Sequence, residues 1–266
     1  MEILTKISVV SCVNDLQKYN SCVGNSFQQE QEDGIVELIA IDNTANQLSI
    51  PQALNEGFKK ANSEVIVFCH QDVKFPKNWI EQLFAQISLV EVINRKWGVL
   101  GTFGVAQNGM LAGHLIDYCG HFHCLPLPAE VQSLDEHCLI MRKDRCLVFD
   151  EELGGFHLYG ADICLQAMSK GSTNYAIDAC VEHMSPGGNV DDNFEEIMNK
   201  LYLKWRYKNP PLSVIETTCR LCRLQAGLTG WLAYATAKYK NKHRRKKIKV
   251  LLKKGLDFRT LRHDIA

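Results

Sequence analysis

The chain has 266 residues, 46% of them hydrophobic and 23% charged, a globular balance that excludes disorder over most of its length. Lys plus Arg number 30 and Asp plus Glu 30, which excludes a protein that binds nucleic acid through a uniformly basic surface. The longest apolar candidate for a membrane span, LQAGLTGWLAYATA, falls short of the ~20 residues required.

The N-terminal MEILTKISVV is charged early and runs straight into a strand pattern, so no signal peptide is expected. Eleven cysteines, odd in number and scattered through apolar runs (Cys69, Cys138, Cys164), read as reduced core thiols of a cytoplasmic protein. KISVVSC predicts a β-branched strand. Leu16, Tyr19 and Val23 share a face and predict a helix over 15–27. VELIAI, 36–41, predicts a buried strand that ends in Asp42-Asn43-Thr44. Ser49 as N-cap and Pro51 in the first turn predict a helix through SIPQALNEGFKKA. EVIVFC, 64–69, predicts a third strand, 76–90 a helix, and WGVLG, 97–101, a fourth strand. Strands that are apolar throughout and alternate with helices predict a mostly parallel central sheet covered on both faces, an α/β fold. Ligands of such sheets bind beyond the carboxyl ends of the strands. Three of those ends carry polar residues: 11–15, 42–44 and 70–72.

From 102 to 128 the chain is rich in Gly and His without a clean period, and long loops are expected. EHCLIMRKD returns to strand character. GADICLQAMSKG predicts a helix closed by Lys170-Gly171. NYAIDACVEHMS predicts an extended run ending at His183, and NFEEIMNKLYLKWRYK a helix broken by Pro210-Pro211. The remainder reads as helical and increasingly basic. The expected division is a domain over 1–208 and a helical, basic extension over 209–266.

The blocks ISVVSCVND, VELIAIDNTAN, LNEGFKKANSEVIVFCHQDVKFPKNWIEQL, VFDEELGGFHLYGADICLQAMSKG and AIDACVEHMSPGG, in that order, resemble the GT-A glycosyltransferases of family 2 type. Within them the chain looks similar to the streptomycin-biosynthesis StrF-like branch. The resemblance covers roughly 7–188. It implies a GT-A, Rossmann-like sheet and an inverting transfer of sugar from a nucleotide-sugar, typically UDP-linked, in cell-surface polysaccharide or glycoconjugate assembly. It also implies a divalent metal, Mn2+ or Mg2+, on the donor diphosphate. Asp72 matches the last acid of the family's DxD-type motif and would help hold that metal. A hard cation with oxygen ligands suits a departing diphosphate. The alternative for Asp72 is a cap of the helix near Pro76. His70 stands where the first acid is usual. It is either a ligand, favouring Mn2+ over Mg2+, or a direct phosphate contact.

By the same resemblance Asp42 recognises the nucleoside, with Ser11, Asn14, Asn43 and Gln71 around base and ribose. A turn-forming role is the alternative for Asp42-Asn43-Thr44. Asp162 matches the second acid of the ED motif, the general base that takes the acceptor's proton. Ala161 stands in place of the first acid, and a helix-dipole acid is the alternative reading of Asp162. His183 matches a histidine of the metal or diphosphate site, before a closing loop at Gly187-Gly188. Asp135 and Glu136 fall where donor or acceptor sugar is contacted.

CGHFHC, 119–124, with His114 and Cys146 as further candidates, is too crowded for one tetrahedral zinc on a regular element. CRLC, 219–222, lacks the strand-then-helix setting of a redox pair. Lys242, Arg244, Arg245, Lys246, Lys247 and Lys249 beside Val250-Leu251-Leu252 suit either an anionic membrane surface, giving a peripheral place at its inner face, or a solvated helix face. Acceptors would be glycans or lipid-linked sugars. The rival functions are a non-catalytic nucleotide-sugar-binding module and a nucleotidyltransferase; VVSCVNDLQKYN lacks the latter's Gly-rich basic signature.

Overall fold

The computed structural model describes residues 6–118, 120–124, 126–184 and 192–253. The first half follows the apolar pattern closely. Strands β1 (Ile7–Val13), β2 (Val36–Asp42) and β3 (Val65–Cys69) are parallel, with β1 in the middle. Their β-branched residues pack on both sheet faces, as strands buried on both sides must. After β1, Asp15 caps the short helix α1 (Leu16–Tyr19) by accepting the Lys18 N–H. A π-helical turn at Asn20–Gly24 and helix α2 (Gln28–Glu32) then lead into β2. Helix α3 (Ile50–Lys60) opens with a capping box between Ser49 and Gln52, and Pro51 sits in its first turn. It lies close on β1: a Cβ on Gly57 would stand 2.1 Å from Val10 Cγ1.

Beyond β3 the chain turns through 70–72 into β4 (Val73–Lys74) and helix α4 (Trp79–Ile93). Strand β5 (Trp97–Gly101) follows. The segment expected to loop is instead three antiparallel strands: β6 (Phe103–Ala106), β7 (Leu111–Asp117) and β8 (Gly120–Cys124). Glycine hides them from a hydrophobic pattern. Gly113 has φ of +136° and its Cβ would meet Thr102 O at 2.2 Å, so the strands meet where no side chain fits. Strands β9 (Ala129–Leu134) and β10 (Cys138–Arg142) complete the middle of the sheet. Helix α5 (Tyr159–Ser169) ends at Lys170 and Gly171 (φ +77°). Strands β11 (Thr173–Ala176) and β12 (Val181–His183) and helix α6 (Asp192–Trp205) follow.

Among the described residues, strands β1 to β12 form one curled sheet in the order β2-β1-β3-β10-β5-β11-β9-β6-β7-β12-β4, with β8 on β7. It is mixed: β10 enters antiparallel between β3 and β5, and the parallel character is concentrated in β2-β1-β3. One face buries Val9, Val67, Ile140 and Tyr175 with Trp79, Leu83 and Ile87 of α4. The other buries Val10, Ile66, Phe68 and Leu139 with Leu54 of α3 and Ile163 of α5.

The C-terminal part departs from the helical reading. Strands β13 (Val214–Glu216) and β14 (Leu221–Arg223) form a hairpin before helix α7 (Gly227–Lys253). Ile215, Cys222 and Leu224 share a core with Leu165 of α5 and Phe194, Ile197, Leu201 and Trp205 of α6. Glu216 N–H donates to Gln132 of β9 (2.8 Å), and Ser133 donates to Glu216 O (2.6 Å). Packing is therefore continuous across 208/209. The described cysteines are free thiols.

Candidate functional site

Strand β3 is apolar to its last residue, and the His70 N–H extends its ladder with β10 by donating to His137 O (3.1 Å). The chain then reverses in a tight turn, Val73 N–H to His70 O (3.3 Å). Strand β4 pairs with β12, His183 opposite Val73, and this register brings His183 beside Asp72. His183 Nε2 lies 3.5 Å from Asp72 Oδ1 and 3.4 Å from His70 Nδ1. Ligand atoms of His70, Asp72 and His183 lie within 4.8 Å of one another, so one ion could touch all three. Asp72 does not cap a helix: α4 begins at Trp79, seven residues on, behind Asn78.

His70 Nε2 faces the Tyr159 hydroxyl at 3.0 Å. With that nitrogen engaged, Nδ1 is the one directed at His183. Burial, with His183 adding to it, pushes His70 down to about 4, so it is a neutral imidazole at physiological pH, as a ligand must be. Burial also opposes charge on His183, but Asp72, Asp135 and Asp117 together raise it above the ordinary histidine value. Two imidazoles and one carboxylate fit a divalent transition ion such as Mn2+ better than the all-oxygen shell Mg2+ prefers.

The link between β9 and β10 supplies two carboxylates with opposite character. Asp135 accepts from His137 Nδ1 (2.9 Å) and from the Thr218 hydroxyl (2.8 Å). Burial works against its charge, yet these partners and His70 hold it well below the usual carboxylate range. His137 is itself buried and fixed by Thr102, whose hydroxyl lies 2.6 Å from Nε2. Among the described residues no cation pairs with Glu136. Burial and the adjacent Asp135 push it up to about 8, against the pull of the Gly160 and Leu158 N–H groups. Its Oε1 accepts from Gly160 N at 3.3 Å, at the first turn of α5. A side chain at position 160 would need that space: a Cβ there would lie 3.0 Å from Glu136 Cγ and 2.8 Å from Leu134 O.

The nucleoside-side residues divide. Gln71 ties the turn to the β1 end, accepting from the Asn14 and Asp15 N–H groups (3.0 and 2.9 Å) and donating to Asn14 Oδ1 (2.6 Å). Asp42 pairs in register with Val13 and is exposed at the same edge, its carboxylate lowered by the Thr44 N–H. Ser11 and Asn43 do not line a pocket. Ser11 is fully buried against Cys69 Sγ (3.2 Å). Asn43 spends both ends of its amide on the Leu48 backbone, holding the loop before α3.

Asp162 lies inside the core rather than on an open surface. It is 1% exposed, and its two oxygens accept from Trp205 Nε1 (2.8 Å), Lys204 Nζ (2.7 Å) and Gln166 Nε2 (2.8 Å). Lys204 also reaches Asp150 (2.6 Å). This is a buried, hydrogen-bonded ion pair between α5 and α6. A base must be within reach of the acceptor hydroxyl, and Asp162 is closed off from solvent by these partners. Tyr159, His137, Asp117 and Thr218 join the site without having been singled out. Only His137, next to Glu136, carried a local signal. The expected closing loop at Gly187-Gly188 lies outside the described residues.

Residues 8–186 match the family model described as Glycosyltransferase like family. The chain is 30% identical over 207 residues to ATP synthase subunits region ORF 6 of Fuscovulum blasticum, covering 75% of this chain and 83% of that protein. Among solved structures, GalNAc-T7 with UDP, GalNAc and Mn2+ has a TM-score of 0.50 at 11% identity, over 79% of this chain. The chain spans 50% of that protein's length. S. aureus TarS 1-349 in complex with UDP-GlcNAc has a TM-score of 0.50 at 15% identity, over 76% of this chain and 67% of that one. At such identities the likeness is one of fold: a mixed α/β GT-A fold.

Proposed function

The chain belongs to the glycosyltransferase-like family, and on that premise we propose that it moves a sugar, with inversion, from a UDP-linked donor to a hydroxyl of a glycan or lipid-linked acceptor. The StrF-like branch and a role in cell-surface polysaccharide or glycoconjugate synthesis belong to the same proposal. The observation that carries it is the gathering of His70, Asp72 and His183 at the carboxyl ends of β3 and β12, with Tyr159 linking His70 to the Glu136 carbonyl at the end of β9.

In this reading Asp42, Asn14 and Gln71 hold the nucleoside at the exposed edge. His70, Asp72 and His183 would hold a divalent ion, whose chemistry is to neutralise charge on the departing diphosphate. Tyr159 keeps His70 in the tautomer that leaves Nδ1 for the ion. Glu136, rather than Asp162, takes the acceptor's proton as the hydroxyl attacks the anomeric carbon in a single displacement. A carboxylate near 8 is a stronger base than an ordinary one, and the Gly160 N–H holds it at the start of α5, where Tyr159 bridges the Glu136 backbone to His70.

One observation favours the rival reading of a non-catalytic nucleotide-sugar-binding protein: the sealed state of Asp162. Calorimetric titration with UDP, GDP and CDP, with and without Mn2+, tests the donor site. The expected result is UDP binding that needs Mn2+ and is lost in Asp72→Ala. No binding of any nucleotide refutes the proposal. Binding without donor hydrolysis or transfer to any sugar acceptor supports the rival.

A peripheral membrane place is also part of the proposal. No helix among the described residues is long and apolar enough to cross a membrane. Helix α7 nevertheless exposes Leu228, Trp231, Leu232 and Tyr239, with Lys238, Lys240 and Lys242 exposed on the following turns. Arg244 does not contribute, because it is committed to Glu216 and the Asn108 carbonyl. Exposed apolar side chains followed by lysines suit an anionic leaflet.

A further inference from the structure

A second cluster of metal-ligating side chains lies away from His70, Asp72 and His183, on the β7–β8 hairpin. Cross-strand register sets His114 opposite His123 and Ile116 opposite His121. Because residues two apart share a face, His114, His121 and His123 all stand on one side of the hairpin. Asp117, which contacts His183, belongs to the opposite side. The rings are stacked: His114 lies 4.9 Å from His121 and 4.4 Å from His123, each pair inclined by 14°. The connection between β11 and β12 adds Asp178 and Cys180. Its path is fixed by the Asp178 N–H, which donates to Gln86 (3.1 Å).

We infer that His114, His121 and Cys180 form a second metal site, for Zn2+ or a similar borderline transition ion, with Asp178 as the residue that orients His114. The ligand atoms of those three residues lie within 4.8 Å of one another. Asp178 Oδ1 sits 2.5 Å from His114 Nδ1. That bond puts the proton on Nδ1 and leaves Nε2 as a lone pair, the carboxylate–histidine arrangement that supports metal-bound imidazoles. His114 Nε2 in turn faces His121 Nε2 at 2.7 Å. At that distance a proton or a cation must lie between the two nitrogens. Tetrahedral bonds of ~2.0–2.1 Å place two nitrogens about 3.3 Å apart, so the exposed His121 ring would move by well under an ångström. Asp178 Oδ2 reaches His123 at 3.8 Å, which steadies the carboxylate from a second side.

Two imidazoles and one thiolate favour Zn2+, and by the usual affinity order Cu2+, over Mn2+ or Mg2+. The crowding of CGHFHC is therefore no obstacle. Its histidines need not supply the whole shell, because His114 arrives from the neighbouring strand and Cys180 from 56 or more residues further on. Three protein ligands leave a fourth position for solvent. The site would also pin β7 to the residues just before β12, the strand that carries His183.

The test is Co2+ titration of an Asp72→Ala background, in which the first cluster has lost its carboxylate. One Co2+ should bind, with a thiolate-to-cobalt charge-transfer band in the near ultraviolet. Cys180→Ser should abolish the band, and Asp178→Asn should weaken Co2+ binding by about 10–100-fold. His121→Ala, at an exposed position that leaves the fold intact, should weaken it further, and Zn2+ should displace the bound Co2+. Failure of the Asp72→Ala protein to bind Co2+, or a band that persists in Cys180→Ser, overturns the inference. Neither result bears on nucleotide binding, which is measured separately with UDP.

Discussion

Glu136→Gln separates stability from catalysis in a direction that few substitutions do. Glutamine is the isostere of the protonated acid and keeps an oxygen for the Gly160 N–H. The folded protein holds Glu136 at about 8, against 4.5 for an ordinary glutamate. A group raised on folding contributes stability that is fully present below its unfolded value and is lost as pH rises through its folded value. The wild-type protein should therefore weaken between about pH 4.5 and 8, while the variant keeps that contribution. At ~1.36 kcal/mol per pH unit the difference is at most about 5 kcal/mol. Solvent reaching the half-buried carboxylate cuts it to ~2–3 kcal/mol. For a chain of this size that is a gain of about 5–10 °C in Tm at pH 9, with no change at pH 4.5. Activity should move the other way. kcat/KM of the wild type should rise with pH up to about 8, and the variant should lose about 10²–10⁴-fold together with that rising limb. Thermal melts at pH 4.5, 7 and 9, alongside initial rates, give both readouts. A variant no more stable than wild type at pH 9, or active within tenfold of it, refutes Glu136 as a carboxylate strained for use as a base.

The other substitutions test neighbouring parts of the structure. Asp162→Asn removes the anion paired with Lys204, which keeps only Asp150. Chemical denaturation should show a loss of about 2–4 kcal/mol, whereas the rate per folded molecule should stay within tenfold; a fully stable but inactive variant would restore Asp162 as the base. Gly57→Ala forces a methyl group against Val10, and a loss of at least ~2 kcal/mol in denaturant midpoint measurements is expected. Trp231→Ala combined with Leu232→Ala should release the protein from anionic vesicles in a sedimentation assay without lowering Tm, since both side chains are exposed.

The parallel part of the sheet was legible because burial on both faces demands continuous apolar runs, as in Val65–Cys69. The start of α3 was legible because Ser49, Pro51 and Gln52 act on their own backbone. The antiparallel half was not. Gly104 and Gly113 sit where strands meet too closely for side chains, so glycine marked a strand crossing and read as a loop. The β13–β14 hairpin was missed because three-residue strands are too short to show a period. Asp72 and His183 were singled out separately, and the β4–β12 register explains why they meet. Asp162 illustrates a different limit. An acid in the first turn of a helix looks the same in sequence as a base, a dipole partner or a buried ion. The residues that decide between them, Lys204 and Trp205, lie 42 and 43 positions away.

The two departures from the family pattern, His70 in place of an acid and a sealed Asp162, are answered by one short segment. A neutral His70 leaves the cluster with a single carboxylate of its own, Asp72. Asp135 lies near enough to His70 and His183 to act on both, and its partners keep it charged, so it returns a fixed negative charge to the cluster. Glu136 fills the space at the start of α5 that glycine leaves at position 160. His137 fixes Asp135 and the start of the 70–72 turn: its ring is buried between Asp135 and Thr102, and its carbonyl accepts the His70 N–H. The segment Asp135-Glu136-His137 thus provides a charged acid, an acid of raised pKa and the anchor of the first. Opposite requirements are met at adjacent positions because Asp135 is hydrogen-bonded by His137 and Thr218, while among the described residues Glu136 receives backbone N–H groups and the repulsion of Asp135 itself.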